Sequence, residues 1–331
     1  MKDYLLKIQT KKTLSNSDLK SLFIDITKNN ISDSEKAAIL FYLSTLDNID
    51  SQILLLCKIL RDKAKKINLG DDIIDVCGTG GDNKNTLNIS TAVAIITSCC
   101  DIKIAKHGNK AISSLSGSAD VLKELGINIS QNNETIQKQF AKHNIAFLFA
   151  PNFHPIIGNF AKVRKELGVK TIFNLIGPLL NPANTSRQLI GIYDKNLIKT
   201  YGEAVKKLDY KNINIVSSKD GMDEISISSE TLLYNPIKEV ELIINPKTYG
   251  FKLHDIKDIK GGDSKYNARK MLDLFSGVKN AYYDIVILNA AFALLTSEKY
   301  SKIEDALEII EEKIKSGFVL DKLNNIKEIN E

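Results

Sequence analysis

The sequence predicts an α/β protein: a small all-helical domain precedes a larger domain built on a central, mostly parallel sheet flanked by helices. Helical periodicity without a strand signal runs through the first sixty-odd residues, and short apolar runs then alternate with helical stretches. The length of 331 residues also exceeds one ordinary domain. We place the helical domain at 1–68 and the larger domain at 69–331, and expect a segment near 155–182 to join the helical part.

The helical part is identified by apolar residues at i, i+3, i+4 and i+7. This spacing occurs at Leu19, Leu22, Phe23 and Ile26, at Ile39, Tyr42, Leu43 and Leu46, and at Ile53, Leu56, Cys57 and Leu60. We expect Ser17 to cap the first of these helices, and Ser32 with Glu35 to form a capping box before the second. Short polar links between the segments indicate a small helical bundle.

Strand and helix signals alternate from Asp72 onwards. DIIDVC at 72–77 is a short apolar run ending in glycines, which is typical of a buried strand. Further strands are predicted near 102–105, 145–149, 188–193 and 212–217. Helices are predicted at 87–99, 118–125, 133–143, 155–167, 195–207, 264–276, 281–296 and 302–317. Because ligands of parallel sheets bind beyond the carboxyl ends of the strands, we look for the site in the loops that follow them.

Composition narrows the range of partners. Hydrophobic residues make up 43% and charged residues 26%, a balance that excludes global disorder. The net charge of +5 is spread along the chain, so we expect an anionic small molecule and no nucleic acid. No apolar run approaches the roughly 18 residues that span a bilayer, so no membrane partner is expected. The four cysteines form no CxxC pair and the N-terminus has no signal-peptide core, which favours a cytoplasmic, reduced protein.

The most specific motif is GTGGD at 78–82, directly after the first predicted strand. Three glycines in four positions let the backbone approach a ligand with its N–H groups. Amides at the start of the next helix, with the hydroxyls of Thr86, Ser90 and Thr91, would complete an anion cradle. The motif is neither a P-loop nor a dinucleotide fingerprint, because no Gly-Lys-Ser/Thr follows and the third glycine would fall at Asn83. A tight strand-to-helix turn is the plainer alternative, but it does not need the third glycine or the hydroxyls.

KHGNK at 106–110 follows the second predicted strand. Lys106 and Lys110 offer point charges to phosphate oxygens, and Gly108 again lets the backbone approach a ligand. Serines at 113, 114, 116 and 118 then lead into the next helix and make a second anion-friendly helix start. A basic surface turn with a serine N-cap is the alternative.

Two further candidates are charged. Asp223 and Glu224 follow the strand that ends near Ser217, and neighbouring carboxylates repel unless they point apart or share a cation. With a hydroxyl and substrate phosphates they describe a magnesium site, and a solvated Asp-Gly turn is the alternative. Arg164 is either a fork for a ligand carboxylate or a solvated surface residue. The two prolines and the glycine at 174–182 indicate a rigid crossing or hinge segment.

In combination these motifs resemble the anthranilate phosphoribosyltransferase family of tryptophan biosynthesis. The resemblance rests, in the family's order, on GTGGD at 78–82, NIST at 88–91, KHGNK at 106–110, SGSADVLKELG at 116–126, FAPNFHPI at 149–156, VRKELGVKTIFNLIGPLLNPA at 163–183 and DGMDEIS at 220–226. It implies a nucleoside phosphorylase/phosphoribosyltransferase-like fold and a homodimer formed through the helical domain. It also implies transfer of the phosphoribosyl group of phosphoribosyl pyrophosphate to the amine of anthranilate, with pyrophosphate released.

The resemblance further implies a role for individual residues. Phosphoribosyl pyrophosphate would contact Gly78, Gly81, Asp82, Thr86, Asn88, Ile89, Ser90, Thr91, Lys106, His107, Gly108, Asn109, Lys110, Ala111, Ile112, Ser113, Ser114 and Ser118. Anthranilate would contact Gly78, Asn109, Arg164, His107, His154 and Pro178. Two magnesium ions would be held by Ser90, Asp223 and Glu224. No residue is implied as an acid or base, so catalysis is expected to rest on positioning and electrostatics.

The chain departs from the family pattern at two positions, and two other functions remain open. Lys110 replaces a common arginine and so loses a bidentate fork, and Leu115 stands where a basic side chain is frequent, so substrate affinity is expected to differ. A pyrimidine-nucleoside phosphorylase of the same fold is one alternative, against which KHGN and Arg164 speak. A non-catalytic relative that binds nucleic acid through a basic surface is the other, against which GTGGD and the pair Asp223–Glu224 speak.

Overall fold

The first part of the chain is helical. The structure, a computed structural model, describes residues 1–10, 14–28, 31–46, 49–110 and 115–327. It begins with α1 (Lys2–Gln9), α2 (Asn16–Thr27), α3 (Asp33–Ser44) and α4 (Ile49–Lys63). The apolar positions predicted for α2 and α4 are buried, because one face of each helix packs into a shared core.

The ends of these helices confirm one predicted cap and correct another. Ser32 accepts from the Glu35 backbone N–H and Glu35 accepts in return, which is the predicted capping box. The predicted cap Ser17 is wrong, because Ser15 has the extended backbone of an N-cap and accepts from the Asp18 N–H. Leu46 was predicted as the last apolar position of α3, but this helix ends at Ser44.

Strands in the described residues form one sheet at the centre of the molecule. They are β1 (Ile74–Gly78), β2 (Ile104–Gly108), β3 (Ile145–Phe149), β4 (Arg187–Gly191), β5 (Asn212–Ser218), β6 (Thr231–Asn235) and β7 (Val240–Ile244). Their spatial order is β3-β2-β1-β4-β5-β6-β7; β1 to β5 are parallel, and β6 and β7 are antiparallel additions. The prediction of a mostly parallel sheet is confirmed, and β1 to β5 are the predicted strands. The order reverses between β1 and β4, which is where ligands of such sheets bind.

The remaining helices cover the sheet. They are α5 (Ile89–Cys99), α6 (Ser118–Glu124), α7 (Asn133–His143), α8 (Ala150–Phe153), α9 (Pro155–Gly158), α10 (Ala161–Leu167), α11 (Ile172–Ile176), α12 (Ile198–Lys206), α13 (Ser264–Phe275), α14 (Ala281–Thr296), α15 (Ile303–Lys315) and α16 (Phe318–Lys327). The single helix predicted at 155–167 is wrong, because it is broken into α9 and α10. The carbonyl of Asn159 at the break accepts instead from Nζ of Lys36 at 3.2 Å.

Separate apolar cores lie on the two faces of the sheet. Leu189 and Val216 face a core with α5 and α14, whereas Ile190 and Ile215 face the core of the N-terminal helices. This alternation follows from the two-residue period of a strand. Apolar residues of the 160–180 segment belong to the second core and so pack on α2 to α4. The boundary at 68 and 69 stays a prediction.

Candidate active site

The glycine turn after β1 is built against the acidic loop after β5. Gly80 and Gly81 have φ of 66° and 77°, a backbone conformation that favours glycine. The backbone N–H of Gly80 donates to Oδ2 of Asp223 at 2.6 Å. A Cβ at Gly78 would overlap the same carboxylate, and one at Gly191 would overlap the Asp223 carbonyl. The ends of β1, β4 and β5 therefore converge at one place.

Side chains from the 160–180 segment also lie at this turn. A Cβ built on Gly81 would be 3.4 Å from Cε of Lys170 and 3.7 Å from Nδ2 of Asn174. Nζ of Lys170 lies 3.4 Å from the ring centroid of Tyr193, which follows β4. No role was assigned to Lys170 from the sequence, although a cation just before the rigid segment at 174–182 was a usable signal.

The KHGNK motif was predicted to follow the second strand, but its first three residues form the end of β2, and only Asn109 and Lys110 lie in the turn toward α6. Lys106 is 3% exposed, and its Nζ donates to the Val76 carbonyl of β1 at 2.8 Å. A Cβ at Gly108 would overlap Oγ of Ser118, and that hydroxyl donates to the Asn109 carbonyl at 3.1 Å. The second predicted anion-friendly helix start therefore lies directly against this turn.

Two carboxyl groups at the acidic loop, those of Asp223 and Glu224, have a raised pKa. Burial raises the pKa of Asp223, and the charge of Asp82 raises it further. Burial also raises the pKa of Glu224, as does Asp223, while the charge of Lys106 and a hydrogen bond from the Ser90 backbone N–H oppose the rise. The structure thus brings the predicted metal residues Ser90, Asp223 and Glu224 together and adds Asp82.

The acidic loop fits a divalent cation that takes only some of its ligands from the protein. Across the described ranges, no group of three or more His, Cys, Asp and Glu side chains is arranged to hold a metal ion unaided. Carboxylates that raise each other's pKa are stabilised in the charged form when a hard divalent cation lies between them. Magnesium keeps several water or phosphate ligands and takes only one or two carboxylates from the protein. The donor set of Ser90, Asp223 and Glu224 therefore fits magnesium.

The residue before α5 is engaged with the protein itself. Asn88 is already engaged, because its Oδ1 accepts from Asn267 at 2.8 Å and its carbonyl accepts from the Tyr282 hydroxyl at 3.0 Å. Ile89 and Thr91 are buried at 2% and 1% exposure. Because the first N–H groups of a helix have no partner within the helix, those of Ile89 and Thr91 can donate to a ligand. Thr86 does not open the helix but forms an isolated β-bridge with Lys260.

Two histidines, His107 and His154, contact each other beside the segment at 177–180. The rings of His107 and His154 make an edge contact with centroids 5.3 Å apart, and Nε2 of His154 bonds the Leu180 carbonyl at 2.7 Å. Burial lowers the pKa of His107 to about 3 and also lowers that of His154. Pro178 is buried, and its carbonyl accepts from Nε2 of Gln188 at 2.7 Å.

Arg164 lies on α10, and its guanidinium stands 5.6 Å over the Phe173 ring. Burial lowers its pKa. Within the part of the chain that the structure describes, no carboxylate pairs with Arg164, and no hydrogen bond joins it to the KHGNK turn. Its charge is therefore available to a ligand, but its place in the same pocket stays a prediction.

Several residues predicted to contact a substrate either lie outside the described residues or are exposed to solvent. Ala111, Ile112, Ser113 and Ser114 lie outside the described residues. Asn109 and Lys110 are exposed, with Nζ of Lys110 5.8 Å from the Phe149 ring centroid. Leu115 is 68% exposed. No functional role was predicted for Asp75, which is fully buried in β1. An aspartate inside the apolar run DIIDVC was the available signal.

Comparison with known proteins agrees with this geometry. The model of a glycosyl transferase family, a/b domain, matches residues 70–320. An anthranilate phosphoribosyltransferase of Pelagibacter ubique is 42% identical over 99% of this chain and all of its own length. One of Dictyoglomus thermophilum is 38% identical over 99% of this chain and 98% of its own.

Solved structures give the same result. The anthranilate phosphoribosyltransferase of Thermus thermophilus superposes with a TM-score of 0.90 at 27% identity, covering 98% of both chains. That of Saccharomyces cerevisiae, in complex with PRPP and Mg, has a TM-score of 0.88 at 29% identity and covers 97% of this chain and 94% of its own. With full-length relatives near 40% identity and the family model matched over most of its length, this chain belongs to the anthranilate phosphoribosyltransferase family.

Proposed function

We propose that this chain transfers the phosphoribosyl group of phosphoribosyl pyrophosphate to the amine of anthranilate, giving N-(5-phosphoribosyl)anthranilate and pyrophosphate in tryptophan biosynthesis. The observation that carries the proposal is the contact between the glycine turn and the Asp223 loop, with Lys106 beside them. A diphosphate with its cations needs this combination of a glycine-rich backbone turn, carboxylates and a lysine. The yeast relative has been solved with PRPP and Mg and with 4-fluoroanthranilate.

Phosphoribosyl pyrophosphate is assigned to the turns after β1 and β2. The backbone amides of Gly81, of Asp82 and of the start of α5 receive its anionic groups, because those of Thr79 and Gly80 already donate to Gly191 and Asp223. Lys106 supplies a buried positive charge. As the bond from ribose to pyrophosphate breaks, negative charge grows on the leaving oxygen. Donors that are already fixed by the fold stabilise that charge without having to reorganise.

Two magnesium ions are assigned to Ser90, Asp223 and Glu224. Bound there, magnesium would supply positive charge that offsets the charge of the pyrophosphate leaving group. Asp223 is held in place by the Gly80 amide, and Glu224 is held by the Ser90 amide. The residues that carry the negative charge are thus oriented by backbone groups of the cradle itself.

Anthranilate is assigned to the wall formed by His107, His154 and Pro178, with its carboxylate on Arg164. An arginine without a carboxylate partner can grip a carboxylate through two parallel hydrogen bonds. The aromatic amine is neutral at pH 7, so the reaction needs no strong base, and histidines whose pKa is lowered stay neutral around it. Positioning of the amine against the ribose carbon then supplies the main catalytic effect.

The assembly and location of the protein are also proposed. The exposed side chains of Leu6, Ile24 and Phe41 on α1 to α3 support a homodimer formed through the helical domain. Cysteines that are free in the structure support a reducing, cytoplasmic location. No described helix combines the length and apolar character that crossing a bilayer requires.

One assay tests the activity directly. The protein is mixed with magnesium, phosphoribosyl pyrophosphate and anthranilate, and the loss of anthranilate fluorescence is followed. The proposal expects a loss that requires both the protein and magnesium. Absence of that loss, together with phosphate-dependent cleavage of thymidine or uridine, would replace the proposal with a nucleoside phosphorylase.

A further inference from the structure

Asp75 is a fully buried carboxylate outside the assigned site. It lies three residues before Gly78 in β1, between Ile74 and Val76, which face the core with α5 and α14. Because strand side chains alternate, Asp75 faces the opposite side of the sheet, toward the crossing segment at 174–182. A charged group placed there must be compensated by its neighbours.

The groups around Asp75 are hydrogen-bond donors. The backbone N–H of His107 donates to Oδ1 at 3.3 Å. Nδ2 of Asn181 and Nε2 of Gln188 donate to Oδ2 at 2.8 Å and 3.3 Å. A carboxylate accepts from all three, whereas an amide at this position would turn its own NH₂ group toward a donor in either orientation. The surroundings therefore specify a carboxylate.

These donors belong to separate parts of the proposed anthranilate wall. Asn181 also donates to the Ala105 carbonyl of β2 at 2.7 Å. Gln188 of β4 also donates to the Pro178 carbonyl at 2.7 Å. One carboxylate thus connects the backbone of His107 with the segment that carries Pro178.

We propose that Asp75 is a positioning residue that holds His107 and the 178–181 segment in register and thereby shapes the anthranilate-binding wall. This role rests on the proposed function. Asp75 contacts no ligand in this scheme and acts through Asn181, Gln188 and the His107 amide. Its loss should therefore weaken anthranilate binding more than phosphoribosyl pyrophosphate binding, since the glycine turn is held separately by Asp223.

The test compares KM values for both substrates in Asp75→Asn and Asn181→Ala. Asp75→Asn is expected to raise the KM for anthranilate at least about tenfold, because small displacements of a positioning wall have large effects. The KM for phosphoribosyl pyrophosphate should rise clearly less, because Asp75 affects that substrate only indirectly, through its charge near Lys106. Asn181→Ala should shift the same KM in the same direction. The double variant should show less than the product of the two effects, because the residues act as one unit.

Asn212→Ala is the matched control. Asn212 is a buried asparagine at the opposite end of β5, where Nδ2 donates to the Thr296 carbonyl at 2.9 Å and Oδ1 accepts from Asn235 at 2.7 Å. Its loss should lower stability and leave both KM values unchanged.

Equal shifts of both KM values, or a fall in kcat alone, would overturn the positioning role. If Asp75→Asn does not fold, Asn181→Ala decides, and an unchanged KM for anthranilate in that variant overturns the role. An inactive wild-type protein would overturn the proposed function and this role with it. An active wild type with equal KM shifts in the variants would overturn this role alone.

Discussion

The backbone amide of Gly80 donates a hydrogen bond of 2.6 Å to Oδ2 of Asp223, which lies 143 positions later in the chain. The turn that presents amides to an anion and the loop that presents carboxylates to a cation are therefore one structure. Gly191 on the intervening strand β4 completes it, because only a glycine leaves room for the Asp223 carbonyl. A substitution in either loop should therefore displace groups of the other loop.

Gly78→Ala tests this connection. The new Cβ would overlap Oδ2 of Asp223, so either the carboxylate or the turn must move. We expect kcat/KM to fall at least about a hundredfold, since a displacement of 1 Å in a positioned group has effects of this size. Gly158→Ala is the control, because a Cβ there meets no atom within 4 Å. Wild-type kcat/KM in Gly78→Ala would contradict the close contact.

Asp223→Asn combined with Glu224→Gln tests the metal assignment. Burial raises the pKa of both carboxyl groups, and the charge of Asp82 on Asp223 and of Asp223 on Glu224 raises them further. Neutral side chains should therefore keep or raise the thermal midpoint while magnesium-dependent turnover disappears. Activity over a magnesium titration and thermal unfolding measure the two effects.

Glu230→Gln is the matched charge control for this double variant. Glu230 is exposed and pairs loosely with Lys219 at 3.8 Å, so its loss should change neither turnover nor stability. Wild-type activity of the Asp223/Glu224 double variant at ordinary magnesium concentrations would show that the metal assignment is wrong.

Arg164→Ala tests the carboxylate grip. The half-buried guanidinium lies over Phe173 without a described carboxylate partner, so its removal should affect a ligand rather than an internal ion pair. We expect the KM for anthranilate to rise by about tenfold to a hundredfold, as for a lost charge-assisted hydrogen bond, and more than that for phosphoribosyl pyrophosphate. The exposed Arg269 provides the control variant Arg269→Ala. Equal rises for both substrates would count against the grip.

The fold was largely predictable because its parallel strands are short apolar runs that end at glycines or polar turns. β7 was overlooked because its first four residues are exposed, so no apolar periodicity marks it. β6 was overlooked as well. At the break between α9 and α10, the Asn159 carbonyl accepts a hydrogen bond from Lys36 of α3. Local patterns do not contain such contacts between distant residues.

The candidate site was likewise predictable only where a residue's position in the sequence marked it. Asp223 and Glu224 were metal candidates because they lie in the loop after a parallel strand, whereas the metal role of Ser90 came from the family resemblance. Asp82 was expected only as a phosphate ligand, and its influence on Asp223 arises from the fold. Asp75 was overlooked because the donors that explain it come from β2, β4 and the crossing segment.

The stability of the protein should fall in mild acid because His107 is buried as a neutral ring. Its pKa is lowered to about 3 by burial, whereas in the unfolded chain it binds a proton near its ordinary pKa of about 6.5. Between these values the unfolded state holds more protons, so stability is present above pH 6.5 and is lost as the pH falls. From pH 7.5 to pH 5 this histidine alone should remove roughly 2 kcal/mol from the free energy of unfolding. Denaturant unfolding of wild type and His107→Asn at both pH values measures it. The variant should lose less stability than wild type, and an equal loss in both proteins would mean that His107 is protonated in the folded state.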